Sequence, residues 1–149
     1  MLNHNYLQVN TNEIKEILQK TGLRYTRQRA EVLSILDQKK EALTQADIEK
    51  DLPESFDRIT LYRILRSLEA NGILHKVLDD GGTTRYALCG TTCTEKKHQH
   101  EHVHFKCTSC EKIQCLSDTQ IPDIRLPEGF VFGEAKLLVE GVCKSCSRK

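Results

Sequence analysis

Two Cys-x-x-Cys pairs, Cys107 with Cys110 and Cys143 with Cys146, constrain this chain more than any other feature of its sequence. Each pair brings two sulfurs within about 4 Å of one another, so two pairs converging on one ion make a tetrahedral thiolate cage with no open position, which is a structural zinc site. Such a cage ties the first edge of a small domain to its last residues and replaces core that so short a segment cannot supply. The first pair closes the run HQHEHVHFKCTSC, His98 to Cys110, which also holds four of the six histidines. Within it His100, His102 and His104 alternate with strand period, so their imidazoles share one face while Glu101, Val103 and Phe105 take the other. A histidine-rich run alone can be a solvated stretch that binds metal incidentally; beside two thiolate pairs it reads as a second metal-binding face.

The remaining cysteines, Cys89, Cys93 and Cys115, bring the total to seven, an odd number that fits metal binding in a reducing compartment better than a disulfide framework. At 149 residues, with 38% hydrophobic and 29% charged, the chain has the make-up of a soluble globular protein of one domain or two small ones. No apolar run approaches the roughly 20 residues of a membrane span, and MLNHNYLQVN lacks the basic start and apolar core of a secretory signal. The expected location is the cytoplasm, with no membrane contact. A net charge of +1 means that any nucleic-acid surface must be a local one.

Ahead of the metal-binding run the periodicity is helical. Ile14, Ile17 and Leu18 predict a first helix stopped by Gly22. Val32, Leu33 and Leu36 predict a second beginning near Thr26, with Arg27 and Arg29 at its N-terminal end, where an anionic partner would explain them. Thr44 with Asp47 reads as the cap of a third helix ended by Pro53. A fourth starts near Asp57, buries Leu61, Ile64, Leu65 and Leu68, turns Arg63, Arg66 and Ser67 outward, and ends at Gly72. HKVLDDGGTTRYAL is then two alternating strands joined through Asp79-Asp80-Gly81-Gly82. Helices followed by a hairpin is the order of a winged helix, whose last helix enters the major groove of double-stranded DNA. Thr60, Tyr62 and Arg63 are the base-facing set, with Arg66 and Arg27 as further DNA contacts.

The stretch 89–97, CGTTCTEKK, has no apolar period and reads as a hinge. The expected organisation is therefore α+β: a winged-helix DNA-binding domain over 1–88, a hinge over 89–97, and a small α/β metal-binding and dimerisation domain over 98–149. In that last domain strands are expected around His102–Lys106, in KIQCL and within FVFGEAKLLVEGV, with a proline-interrupted stretch between the last two.

This order of parts resembles the ferric uptake regulator superfamily of metal-dependent bacterial repressors, most nearly its zinc uptake regulator branch. GLRYTRQR looks like the family's second-helix signature, ITLYRILRSLEANGIL like its recognition helix with the Tyr62-Arg63 pair, and HEHVHFKCTSC and VEGVCKSC like its metal strand and two zinc knuckles. The resemblance covers nearly the whole chain. It implies a homodimer joined through the C-terminal domains and a sensor metal at the hinge. Where the iron and peroxide branches carry a sensor His and Glu, this chain has Ala42 and Ala87, neither of which can ligate a metal. His75 and Cys89, in GILHKV and RYALC, are similar to the zinc branch, and Cys115 sits where the family often has a ligating Glu. The implied sensor set is Cys89, His102, His104 and Cys115, with His75 and His100 competing for a place. Mixed thiolate and imidazole ligands favour zinc over iron or manganese. Two departures stand out: Ala135 and Val103 replace ligands of the family's third metal site, and Pro122 and Pro127 interrupt the helix that usually follows the first knuckle.

The function expected is zinc-responsive repression of metal-uptake genes, with one structural zinc and a second divalent metal, also zinc, as regulator. An iron- or peroxide-responsive regulator on the same scaffold is the alternative, separated from it by the ligand set. A zinc enzyme with an open position is disfavoured, because Glu101, the nearby carboxylate that could serve as general base, points to the opposite strand face. No small-molecule substrate is expected. A redox switch through Cys89, Cys93 and Cys115 would show as loss of those thiols under mild peroxide.

Overall fold

The computed structural model describes residues 11–79, 81–88, 102–133 and 135–149. The chain divides into two units, Met1–His98 and Gln99–Lys149. The hinge expected over 89–97 lies outside the described residues, as do His98, His100 and Cys93.

In the first unit each helix begins and ends where local chemistry satisfies its backbone. Helix α1, Thr11–Lys20, buries Ile14 and Leu18 one turn apart. It stops at Gly22, whose φ of 73° suits a residue without Cβ. There Leu23 donates to the Leu18 carbonyl at 2.8 Å and Gly22 to that of Gln19 at 3.1 Å, a Schellman closure. Helix α2, Arg27–Lys39, starts at Thr26, whose side chain accepts from the Arg29 N–H. Helix α3, Gln45–Asp51, opens with a complete capping box between Thr44 and Asp47, as the spacing predicts. Helix α4, Arg58–Ala70, is capped by Asp57 and closed like α1: Ile73 donates to Leu68 and Gly72 to Glu69, both at 2.9 Å.

The apolar faces of these helices meet in one core containing Leu18, Val32, Leu36, Ile48, Leu61, Leu65 and Leu68, each at most 1% exposed. Full burial of each such side chain is worth about 1.5–3 kcal/mol. Strands β1, Leu74–Leu78, and β2, Thr84–Leu88, form the antiparallel wing, in register from Leu74 opposite Leu88 to Leu78 opposite Thr84. The Asp79 carboxylate accepts from the N–H groups of Gly81 and Thr83 at 3.0 and 2.9 Å, which shapes the turn between them. One pairing had no sequence signal: Leu43, between α2 and α3, bridges Tyr86 through reciprocal backbone bonds of 2.9 and 2.7 Å and anchors the wing to the helices.

The second unit is a three-stranded sheet with β3, His102–Cys107, in the middle. Strand β4, Ile113–Gln120, lies antiparallel on one side and β5, Leu137–Gly141, parallel on the other. The parallel pair requires a long return, and it runs through 121–136, whose described residues adopt neither helix nor strand. Pro122 and Pro127 deny that stretch helical hydrogen bonds. Buried apolar contribution is small here: Val103, Cys107 and Ile113 are each no more than 2% exposed, whereas Phe130 and Val131 are 69% and 94% exposed. A four-residue helix, α5, Lys144–Ser147, follows Cys143 and was not evident from the sequence. Among the described residues no helix is long and apolar enough to cross a membrane.

Candidate functional site

Strand β3 delivers Cys107 at its end, and the chain then turns tightly. Glu111 donates to the Cys107 carbonyl at 2.8 Å and Cys107 to that of Lys112 at 2.9 Å, with Glu111 in the left-handed region at φ 60°. This turn carries Cys110 back toward Cys107. Strand β5 delivers the second pair, because Cys107 is in register with Gly141 and the Thr108 N–H donates to the Gly141 carbonyl at 2.7 Å. Two residues later Cys143 donates its backbone N–H to Cys107 Sγ at 3.3 Å, and its own Sγ lies 3.9 Å from that of Cys110. The turn of α5, closed by Ser147 donating to the Cys143 carbonyl, returns Cys146 to the group.

All four sulfurs lie within 4.8 Å of one another, and all four cysteines are free thiols. Zinc–sulfur bonds near 2.3 Å in a tetrahedron need sulfurs roughly 3.8 Å apart, so the cluster requires only slight contraction to hold the ion. The electrostatics point the same way. The Cys107 thiol is drawn from 9.0 down to about 6 by the backbone N–H of Cys143 first and that of Cys110 next. The Cys146 thiol is pushed up to about 12 by its hydrogen bond with Cys143, by burial and by the sulfurs of Cys110 and Cys107. One thiolate in this group thus resists another, and a divalent cation is what would let all four ionise. Bound there, zinc would cross-link the two knuckles; with four sulfur ligands it would leave no position for water.

A second pair of ligands sits farther along the same sheet. His104 is directly opposite Cys115 on β4, and their ligand atoms are within 4.8 Å of each other. Both are half-buried. Of the other residues named for a sensor, His102 stands two positions before His104 on β3, while Cys89 and His100 lie outside the described residues. His75 belongs to the first unit, on β1 opposite Ala87, and is 5% exposed. Ala42 and Ala87 are buried alanines.

On α4 the outward face carries Tyr62, Arg63 and Arg66, all exposed. Arg66 donates to Tyr62 Oη at 3.1 Å and its guanidinium stands 5.8 Å from the ring centre, so cation and aromatic are held as one unit. The Thr60 hydroxyl donates to Asp57 at 2.9 Å and takes part in the cap. Arg58 is spent on a two-bond contact with Glu49 at 2.8 and 3.0 Å, and Arg27 pairs with Glu31 at 3.0 Å. The Tyr62–Arg66 pairing was readable from their four-residue spacing but not anticipated.

A helical unit bearing a wing and an exposed basic-aromatic helix face, followed by a sheet unit closed by four thiols, defines a metal-dependent DNA-binding regulator. The chain belongs to the ferric uptake regulator family, whose model matches residues 20–128. The ferric uptake regulation protein of Staphylococcus epidermidis is 32% identical over 148 residues, spanning 95% of this chain and 99% of that protein. That of Staphylococcus aureus is 30% identical over 142 residues, 93% and 98% of the respective chains. Among solved structures, a zinc uptake regulator complexed with zinc and DNA matches with a TM-score of 0.64 at 22% identity over 92% of each chain. The Vibrio cholerae ferric uptake regulator matches at 0.57 and 22%, over 87% of this chain and 98% of its own. Members of this family are transcription regulators rather than enzymes, and this chain is a metal-dependent transcription regulator.

Proposed function

We propose that the chain is a zinc-responsive repressor of metal-uptake genes. One zinc, held by Cys107, Cys110, Cys143 and Cys146, maintains the C-terminal unit. A second zinc regulates, bound by His104 and Cys115 together with Cys89 and His102, with His75 and His100 as competing ligands. The observation that carries this reading is the His104–Cys115 pair: an imidazole and a thiolate within reach of one ion suit zinc better than iron(II) or manganese(II). The active form is a homodimer on a palindromic operator, with α4 as the base-contacting helix through Tyr62, Arg63 and Arg66, and Thr60 and Arg27 in support. Zinc raises operator affinity only by as much as it prefers the DNA-competent arrangement over the other. Mobility shift on a promoter fragment, with zinc added and with zinc chelated, tests this; failure to bind under either condition contradicts it.

Iron-responsive regulation is the second reading, favoured by the names of the staphylococcal relatives. It requires oxygen- and nitrogen-rich ligands, and the alanines at 42 and 87 speak against the family's usual pair.

A further inference from the structure

Helix α4 exposes a residue that neither capping nor the core accounts for. Ile59, in its first turn, is 61% exposed, while the helix's other large aliphatic residues, Leu61, Ile64, Leu65 and Leu68, are at most 8% exposed. Positions 59, 62, 63 and 66 fall at i, i+3, i+4 and i+7, so Ile59 begins the same stripe that continues as Tyr62, Arg63 and Arg66. Its neighbours in the first turn are occupied: Asp57 caps the helix, Thr60 donates to Asp57, and Arg58 is locked onto Glu49. What this end of the stripe offers a partner is therefore a branched hydrocarbon, with two cations and a phenol following it within two turns.

A protein helix would need the stripe to continue apolar, and it does not. A DNA major groove matches it. Recognition helices meet base edges with their N-terminal residues, and the apolar feature on those edges is the thymine C5-methyl group. We propose that Ile59 is a specificity-determining residue that reads a thymine methyl in the operator. The proposal rests on α4 being the groove helix, as in the preceding section. Burying one methyl-sized group against Ile59 gives a preference of roughly fourfold for thymine over the same base without its methyl.

The test uses the full-length zinc-loaded protein and a DNA duplex that it selects from a random pool. Each thymine in turn is replaced by deoxyuridine, which keeps every hydrogen bond and removes only the methyl. Wild-type protein should lose roughly fourfold in affinity at one thymine of a half-site, and Ile59→Ala should bind weaker but be indifferent to the methyl at that position. Retained zinc content and an unchanged melting temperature in Ile59→Ala exclude a folding defect, as the side chain's exposure predicts. If wild type is indifferent to deoxyuridine at every thymine, or Ile59→Ala keeps the full loss, the proposal is overturned. Arg63→Ala separates the two levels. A large loss of binding there with no methyl effect sinks Ile59 alone, whereas unaltered binding by Arg63→Ala sinks the assignment of α4 and Ile59 with it.

Discussion

The backbone N–H of Cys143 donates to Sγ of Cys107 at 3.3 Å, joining residues 36 positions apart. That contact seats the second knuckle on the first, in a unit where, among the described residues, the buried apolar side chains include little beyond Val103 and Ile113. A closed zinc site supplies folding free energy itself where the core is this small. Cys107→Ser or Cys143→Ser should therefore lose its tightly held zinc and the folded C-terminal unit, read as metal content and as loss of the dimer on gel filtration. An intact dimeric Cys107→Ser protein would refute the cage.

The caps of α3 and α4 give the winged-helix unit an acid-sensitive component. Hydrogen bonds from the Thr44 side chain hold Asp47 below 3.8, and those from the Thr60 backbone do the same for Asp57. A carboxyl lowered in the native state releases its proton more readily there than in the unfolded chain. Its contribution is thus complete above an unfolded value near 4 and disappears as pH falls through the lower native one. Asp57→Asn should match wild type closely at pH 7, since Asn caps about as well as Asp, whereas Asp47→Asn gives up the N3 carboxylate of the capping box and its ion pair with Lys50 and should start somewhat lower. The double variant should lose less stability than wild type between pH 4 and 2. Thr44→Ala should cost about 1 kcal/mol at pH 7. Thermal melts across that range decide it; an acid limb as steep in the double variant as in wild type contradicts the role given to the caps.

These caps were legible because their chemistry is local. Thr44 and Asp47 need only a three-residue spacing to announce a helix start, and Gly22 and Gly72 announce stops. The thiol cluster was equally legible, because knuckle spacing is set by ion size. Less visible were features with a tertiary cause. Leu43 pairs with Tyr86 as a single bridge, too short to produce alternation. Strand β4 runs to Gln120 through Ser117, Asp118 and Thr119, and its end is set by pairing with β3 across a register shift at His102, not by its own composition. Helix α5, four residues long, is below the length at which periodicity can register. Of the candidate sensor, His104 and Cys115 were each identifiable as ligand types, but their direct opposition depends on the β3–β4 register.

Arg63→Ala should leave two zincs per chain and the fold unchanged, because the side chain is exposed on α4. Operator binding should weaken by about 1–3 kcal/mol if the guanidinium spans a guanine edge, with discrimination among sequences reduced. Fluorescence anisotropy against the selected operator and a shuffled duplex measures both; equal affinity to wild type on both would remove Arg63 from the contact set.

Control should fail separately from contact. Cys89→Ser and Cys115→Ser are each expected to keep the fold, the dimer and one tightly held zinc, while losing the second zinc and the zinc dependence of DNA binding. Metal analysis after dialysis against a weak chelator should fall from two zincs per chain to one in wild type, and read one throughout in the variants. A variant that retains an unchanged zinc response takes its cysteine out of the sensor.

The most direct test is an anaerobic titration of operator binding against buffered free zinc(II) and, separately, free iron(II), with the four-thiol site already filled. Zinc-responsive regulation through the His104–Cys115 pair predicts that zinc activates binding at a lower free concentration than iron, and that Cys115→Ser abolishes the zinc response. Activation by iron at the lower free concentration, with zinc inert beyond the first equivalent, would contradict it.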